Sequence, residues 1–500
     1  MDGLARPPVL RRRRLAALLA GAALLALLTA AAATAAAGPW ATANGTVTST
    51  RALAATTISS STVGGLRVRW RFALNPRRGS GFGAITANPV LRGDTVYIQD
   101  SSSSVYALDV RTGRPRWQVT LAAPNDGPNG LSVVGSTLYA ATDTTAFALD
   151  ARTGRRLWSH LLVRPDEQFV GVTPVIDRGR VYVSTQGFPP GGRGALYALS
   201  ARTGKTVWRF ETIKEPWPTA QAGGGGLWYP VSVDESGNVY AGVANPGPWG
   251  GTKQRPNGAA FAGPALYTDS LIVLAGASGK LLWHDQVTRH DVRDYDFQTS
   301  PILATLGGRK LVFGAGKAGR VIAWDRVTHA RVWAQAVGTH AHDLGPLPPT
   351  PTRVCPGLLG GVETPMAFAA GRLFVPVVEL CMDESAVTSP SAFKRSPVEA
   401  KGAVYALDAA TGRIAWQRRL GSAAFACATV ARDVVFVPTY DGTVEAFSTA
   451  DGRTLWRTRL RAGSNACPAV GSDLLVVAAG APHPAFPQPL AEVIAFETYR

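Results

Sequence analysis

A thirteen-residue segment ending in tryptophan recurs along the chain, and a repeat of this kind sets the architecture before any single side chain does. VYALDVRTGRPRW (105–117), AFALDARTGRRLW (146–158), LYALSARTGKTVW (196–208) and VYALDAATGRIAW (404–416) share one pattern. LIVLAGASGKLLW (271–283), VIAWDRVTHARVW (321–333) and VEAFSTADGRTLW (444–456) are weaker copies. In each, an alternating apolar half reads as a half-buried strand, Asp-x-x-Thr-Gly as turn chemistry, and the remainder as a returning strand. Gly113, Gly154, Gly204, Gly412 and Gly452 supply the positive φ such a turn requires. The closing indole carries a large apolar area and is expected to dock between neighbouring sheets.

These copies account for Trp117, Trp158, Trp208, Trp283, Trp333, Trp416 and Trp456. Trp70, in LRVRWRF, has no strand-turn half before it, and VIAF at 493–496 is a strand half with no tryptophan after it. The two termini therefore complete one repeat between them. Pairing first strand with last closes a ring and removes exposed sheet edges. The expectation is an all-β, eight-bladed β-propeller over residues 65–500. Successive tryptophans lie 47, 41, 50, 75, 50, 83 and 40 residues apart. A four-stranded blade needs about 40–50, so the intervals 208–283 and 333–416 carry insertions, which on a rigid ring read as binding loops. The 46% apolar content, 54 glycines and 35 prolines suit a turn-rich β-domain with ample core.

The formal charge is +17. No basic run interleaved with aromatics follows residue 40, which argues against nucleic acid as a partner; a generally cationic surface favours an acidic electron acceptor or anionic lipid headgroups. Residues 1–37 read as an export segment: Arg11–Arg14 precede an apolar run from Leu15 to Ala37. The run is long enough to span a bilayer, and its small residues offer a cleavage site, so a cleaved signal and an N-terminal anchor both remain open, with cleavage favoured. Either places the ring outside the cytoplasm, in the periplasm or beyond the cell. Residues 38–64 are read as a linker. Four cysteines outside the cytoplasm can form disulfides; Cys355 with Cys381 and Cys427 with Cys467 is the pairing their positions favour, among the three connectivities four cysteines allow. None lies in a Cys-x-x-Cys-His haem motif.

The Ala-x-Asp-x-x-Thr-Gly-x-x-x-Trp cadence resembles the tryptophan-docking motif of the quinoprotein alcohol and methanol dehydrogenases. Those are eight-bladed propellers that hold pyrroloquinoline quinone (PQQ) near the axis. The cadence is shared with non-catalytic propellers, including outer-membrane assembly proteins, so it speaks for fold. Four further segments resemble the family's site. GGGGLW (223–228) is similar to the glycine-rich stretch before the tryptophan that carries the quinone, which implies Trp228, Gly225 and Gly226 as cofactor contacts. NPGPW (245–249) resembles the loop whose asparagine ligates the metal; the Asn245 carbonyl oxygen is a hard ligand suited to calcium, and Pro246 and Pro248 stiffen the loop. HDVRDYD (290–296) resembles the family's base-bearing segment, which maps the base to Asp294; in an extended segment Asp296 would face the same way. An acid at 296 resembles the lanthanide-using branch. Lys317, in GAGKAGR, matches a basic side chain beside the quinone oxygens. Taken singly, each is also readable as a core aromatic, an Asx turn, a solvated acidic loop or a solvated lysine.

The departures are as plain. No adjacent cysteine pair occurs in PNDGPNGLSVVG (124–135), Pro189 stands where a metal-binding glutamate is expected, Thr86 where another glutamate is, and Glu363-Thr364 where an Asn-Trp pair is. The resemblance implies PQQ on Trp228 and calcium or a lanthanide on Asn245, Asp294 and Asp296, polarising the C5 carbonyl. Asp294 would take the alcohol proton and Lys317 stabilise charge on the quinone oxygen, giving aldehyde or ketone. Electrons would pass to an external carrier such as a cytochrome. The other reading is a non-catalytic propeller serving as a binding or assembly scaffold.

Overall fold

Each copy of the repeat becomes the third and fourth strands of an antiparallel four-stranded blade, the blade holding 444–456 gaining a fifth, parallel strand at Ala52–Leu53, in the computed structural model, which describes residues 40–76, 83–125, 127, 130–164, 169–187, 192–213, 223–247, 249, 265–386 and 397–499. Blades 1 to 7 span 90–119, 131–161, 175–211, 232–286, 302–336, 367–420 and 429–459. The eighth takes three strands from the C-terminus (469–470, 474–479 and 492–498) and its outer strand, Leu66–Ala73, from the N-terminal side. Leu66 pairs with Thr498 and Ala73 with Glu492, closing the ring as the half-repeats require. Apolar clusters bridge each adjacent pair of blades, for example Leu271, Val273, Phe297, Leu303, Val312 and Trp324 between blades 4 and 5.

The repeat is conserved in form because tryptophan and glycine lock onto each other. The Trp70 indole N–H donates to the Val110 carbonyl of the next blade's turn (2.9 Å), Trp158 to Ala201 (3.0 Å) and Trp208 to Gly276 (2.9 Å). The turn glycine then lies on the ring itself: a Cβ on Gly204 would come within 2.4 Å of Trp158. Glycine is thus needed twice, for φ of +72° and for contact. In blade 5 the turn carries His329 at φ +62°, and its imidazole stacks on Trp283 with centroids 4.6 Å apart.

Residues 40–64, read above as most of a linker, are packed into the ring. Trp40 and Arg51 are fully buried. Carbonyls of Trp40, Ala41, Val47, Thr48, Thr50 and Arg51 accept hydrogen bonds from Leu91, Val133, Val233, Leu303, Phe368 and Val430, on the innermost strands of blades 1, 2, 4, 5, 6 and 7. Arg51 donates to Ala43, Asn44, Ala428, Thr429 and Pro468. This strap runs along the innermost strands of six blades; the turns between first and second strands mark one end of the ring, the turn end, and the loops between second and third strands the other, the open end. A sequence reading that seeks side-chain periodicity passes over such a segment, because its bonds come from the backbone.

Both disulfides form as expected. Cys355–Cys381 ties the connection between blades 5 and 6 to a loop of blade 6, where 352–354 also pairs with 382–384; Cys427–Cys467 joins the approaches to blades 7 and 8. The export segment 1–37 and Pro189 lie outside the described residues. Among the described residues, no helix is long and apolar enough to cross a membrane.

Candidate functional site

Asp291 builds the segment that carries the expected base. Its carboxylate accepts the backbone N–H groups of Arg293 (2.8 Å) and Tyr295 (2.6 Å), folding 290–296 into a turn. Arg293 then donates to the carbonyls of His342, Gly345 and Pro346, and the Tyr295 hydroxyl to that of Pro356, pinning the turn to the long connection after blade 5. The segment is not extended: Asp294 sits at φ +62°, a conformation that costs a non-glycine residue energy and is common at sites. Asp294 and Asp296 nevertheless converge, and the reason is the capped turn rather than strand alternation.

They converge on Lys317. Its ammonium lies 2.7 Å from Asp294 Oδ2 and 2.6 Å from Asp296 Oδ2, in the loop between the second and third strands of blade 5. Gly316 allows this approach, since a Cβ there would collide with the Asp296 carbonyl at 1.9 Å. Asn245 completes the group from blade 4: its backbone N–H donates to Asp296 Oδ1 (2.8 Å) and its side-chain Nδ2 to Asp294 Oδ1 (2.5 Å). Burial alone would lower the Lys317 pKa, but Asp294, Asp296 and Glu363 more than reverse this and hold it well above the usual lysine range. Burial pushes the Asp294 carboxyl well up, against the pull of Lys317.

The glycine run packs beside Asn245. Gly223–Gly224 pairs with Pro246–Gly247, and the Gly225 N–H donates to the Asn245 carbonyl (2.8 Å). A Cβ on Gly226 would strike the Gln186 carbonyl at 1.9 Å, and one on Gly225 the Thr212 hydroxyl at 2.6 Å. These glycines are thus already required by chain-to-chain packing. Trp228 stands half-buried at the end of the run, its ring edge-on to Phe169 at 6.5 Å.

Two carboxylates that no motif pointed to share this region. Glu363, noted above only as a departure, accepts from the Gln298 amide (2.7 Å), leaves one oxygen without a partner, and is pushed up to about 7 by burial. Asp269 is fully buried with neither oxygen hydrogen-bonded, opposite Ala244 across the strand pair; burial, then Asp291, Asp296 and Asp294, drive its carboxyl well up. The only signal in the sequence is an acid in an otherwise strand-like LYTDSLIV. Thr86, in place of a glutamate, donates to the Gly127 carbonyl (2.8 Å).

The donor chemistry suits a hard cation. Asp269, Asp291, Asp294, Asp296 and Glu363 are buried or nearly so and lie in the field of one ammonium, Lys317, which pairs directly with Asp294 and Asp296. Buried negative charge in such excess calls for protons or for a cation. Asn245, Asp294 and Asp296 offer oxygen ligands of the calcium or lanthanide kind, although among the described residues no three acidic, histidine or cysteine side chains form a metal-holding group by themselves. The half-buried indole face of Trp228 is fit to carry a flat ring.

A family model described as the glucose/ethanol/alcohol dehydrogenase β-propeller domain matches residues 40–132 and 175–337, and one for the outer membrane protein assembly factor BamB matches 356–482. The quinohemoprotein alcohol dehydrogenase ADH IIB of Pseudomonas putida is 26% identical over 337 residues, covering 60% of this chain and 48% of that protein. A putative dehydrogenase, XoxF, of Paracoccus denitrificans is 27% identical over 425 residues, covering 69% and 68%. The chain spans about half the length of the first of these relatives. Among solved structures, the quinohemoprotein alcohol dehydrogenase of Comamonas testosteroni superposes with a TM-score of 0.79 at 22% identity, covering 92% of this chain and 80% of that one. A europium-containing methanol dehydrogenase gives 0.75 at 21%, covering 92% and 98%. At these identities the structures establish a shared fold.

Proposed function

We propose, for a chain that belongs to the glucose/ethanol/alcohol dehydrogenase β-propeller family, that it is an exported dehydrogenase oxidising an alcohol, sugar or polyol to an aldehyde or ketone. The observation that carries this reading is the meeting of Asp294, Asp296, Lys317 and Asn245, drawn from two blades and the connection between them, at the open end of the ring.

When bound, PQQ beside a calcium or lanthanide ion would supply a two-electron acceptor for hydride. Trp228 would carry its ring, and Asn245, Asp294 and Asp296 would hold the cation. The chain's own part is proton handling and orientation. Asp294 receives the alcohol hydroxyl proton on a carboxylate oxygen, and burial, by raising its proton affinity, makes it the stronger base. Lys317 neutralises Asp294 and Asp296 until substrate binds and keeps positive charge where negative charge develops. Asn245 fixes both carboxylates from the opposite side. The Asp291 cap and the Arg293 and Tyr295 anchors hold the base in its left-handed conformation. Electrons leave to an external acceptor, a cytochrome-like carrier in the exported space.

The test is reconstitution of the purified protein with PQQ and calcium or a light lanthanide, followed by dye-linked oxidation of an alcohol panel. Turnover should require both additions and fall by about 10²–10⁴ in Asp294→Ala; a folded protein that binds no PQQ with any metal would sink the reading. A scaffold propeller is the second reading. It is favoured by the match of 356–482 to the BamB model and by Thr86 and Pro189 in place of the expected glutamates.

A further inference from the structure

The turn that carries Asp294 borders a second space. A cavity of about 620 Å³ is bounded by the segment after blade 4, the third and fourth strands of blade 5 and the connection at 343–346. Asp291, Val292, Arg293 and Tyr295 line it, whereas Asn245, Asp294, Lys317 and Trp228 do not. Gly316 and Ala318, on either side of Lys317, also line it. The cavity is thus separate from the carboxylate cluster, although one segment borders both. Its volume is that of a site for a small organic molecule.

Much of the wall is apolar. Val292, Phe297 and Ile322 are buried in it, and Ala334 and Leu344 continue it into solvent, Leu344 being 72% exposed. A leucine left in water beside buried apolar walls is surface that a ligand would cover. The charges on the wall do not balance. Arg289, Arg293, Arg320 and Arg331 stand against Asp291 and Asp343. Both carboxylates are already engaged: Asp291 by the N–H groups of Arg293 and Tyr295, Asp343 by Arg320 (2.7 Å) and His340 (2.7 Å). Arg331 is paired with Asp285. Arg289 is exposed and forms no ion pair with a described residue. Arg293 spends its two terminal nitrogens on carbonyls and leaves its Nε buried with no acceptor. A buried donor without an acceptor is costly, and this one belongs to a residue of the cavity wall.

We infer that this cavity is a binding site for an organic carboxylate with an apolar body. The acid group meets Arg293 and Arg289, and the body covers Phe297, Ile322 and Leu344. Each other class of small molecule leaves something unmet. A cation faces an excess of guanidinium, a neutral apolar molecule leaves the Arg293 Nε without an acceptor, and a small inorganic anion leaves the apolar wall wet. The inference does not depend on the dehydrogenase reading, since neither Asp294 nor Lys317 enters it.

The purified protein is titrated calorimetrically with octanoate, 1-octanol, octylamine and acetate, and amide hydrogen exchange locates the contact. Octanoate should bind once per chain, about tenfold or more tighter than any of the other three, because only it offers both an apolar body and a charge-assisted acceptor. Protection should rise at 287–293 and 342–346. Arg289→Ala should weaken octanoate by about tenfold, and Arg289→Lys should retain most of the affinity. Ala334→Trp, a substitution at an exposed position that fills the cavity, should abolish binding with the melting temperature unchanged. No octanoate binding, octanol or octylamine binding as tightly, or full binding by Ala334→Trp would each overturn the inference. So would protection at 223–228 and 245–247 in place of the expected segments, which would set the octanoate against Lys317.

Discussion

The turn end of this ring and its open end are built from the same blades by opposite rules. At the turn end features recur and pair: the indoles of Trp70, Trp117, Trp158, Trp208, Trp333 and Trp416 each donate to a carbonyl of the next blade's turn and lie against its glycine, and the turn aspartates accept turn amides. At the open end the rules are broken. Asp294 takes a left-handed conformation, Asp269 and Glu363 are buried with oxygens unpartnered, and Asp294 and Asp296 share one ammonium. Regular pairing gathers at one end and strain with unpaired charge at the other, the pattern of a fold that tolerates such cost only where function needs it. The largest test sets one tryptophan against another. Trp208→Ala, which removes a buried indole and its bond to Gly276, should cost about 3–5 kcal/mol in urea unfolding. Trp228→Ala, on a half-buried ring beyond the blades, should cost about 1 kcal/mol and abolish PQQ binding. Equal costs would erase the distinction between the two ends.

The next effect is a dependence on pH that only the open end should carry. Glu363 is raised from 4.5 to about 7 by burial, so the folded protein binds a proton that the unfolded chain has released. Its contribution is fully present at low pH and is lost as pH rises from about 4.5 through about 7, amounting to about 3 kcal/mol at most. Melts of the cation-free protein across that range should show stability falling with pH, and Glu363→Gln should flatten the slope. An unchanged slope in the variant would remove Glu363 from the account.

How much of this was legible depends on whether the feature repeats. Blade number, strand pairing, indole docking, ring closure through Trp70 and 493–496, and both disulfides were readable because period and position encode them. Asn245, Asp294, Asp296 and Lys317 were found through short motifs, and the structure brings them together; their facing was inferred for an extended segment, whereas a capped turn achieves it. Asp269 and Glu363 escaped because a buried acid announces itself only through what surrounds it, and those neighbours lie in distant segments. Residues 40–57 escaped for the complementary reason, since their bonds to six blades are made by backbone carbonyls that any sequence possesses.

Asp269 separates cation from proton as the balancing charge. With no cation present, a buried carboxyl whose oxygens are unpartnered is destabilising, and Asp269→Asn should stabilise the protein by about 1–2 kcal/mol above neutral pH. Calcium or terbium should then stabilise the unmodified protein and reduce or invert that difference. Denaturant titrations with and without the ion decide it; a variant equally affected by the ion would place Asp269 outside its field.

The smallest effect probes the regular end against itself. Gly93 and Gly204 both lie in turns at positive φ, +58° and +72°, but a Cβ on Gly93 meets nothing within 4 Å, whereas one on Gly204 meets the Trp158 ring. Gly93→Ala should therefore cost only the conformational term, about 1 kcal/mol, and Gly204→Ala should exceed it because the indole must shift. The difference between the two melts isolates the contact from the conformation. If they cost the same, the glycine of the repeat is kept for its φ alone, and the tryptophan–glycine lock would not be what makes the turn end regular.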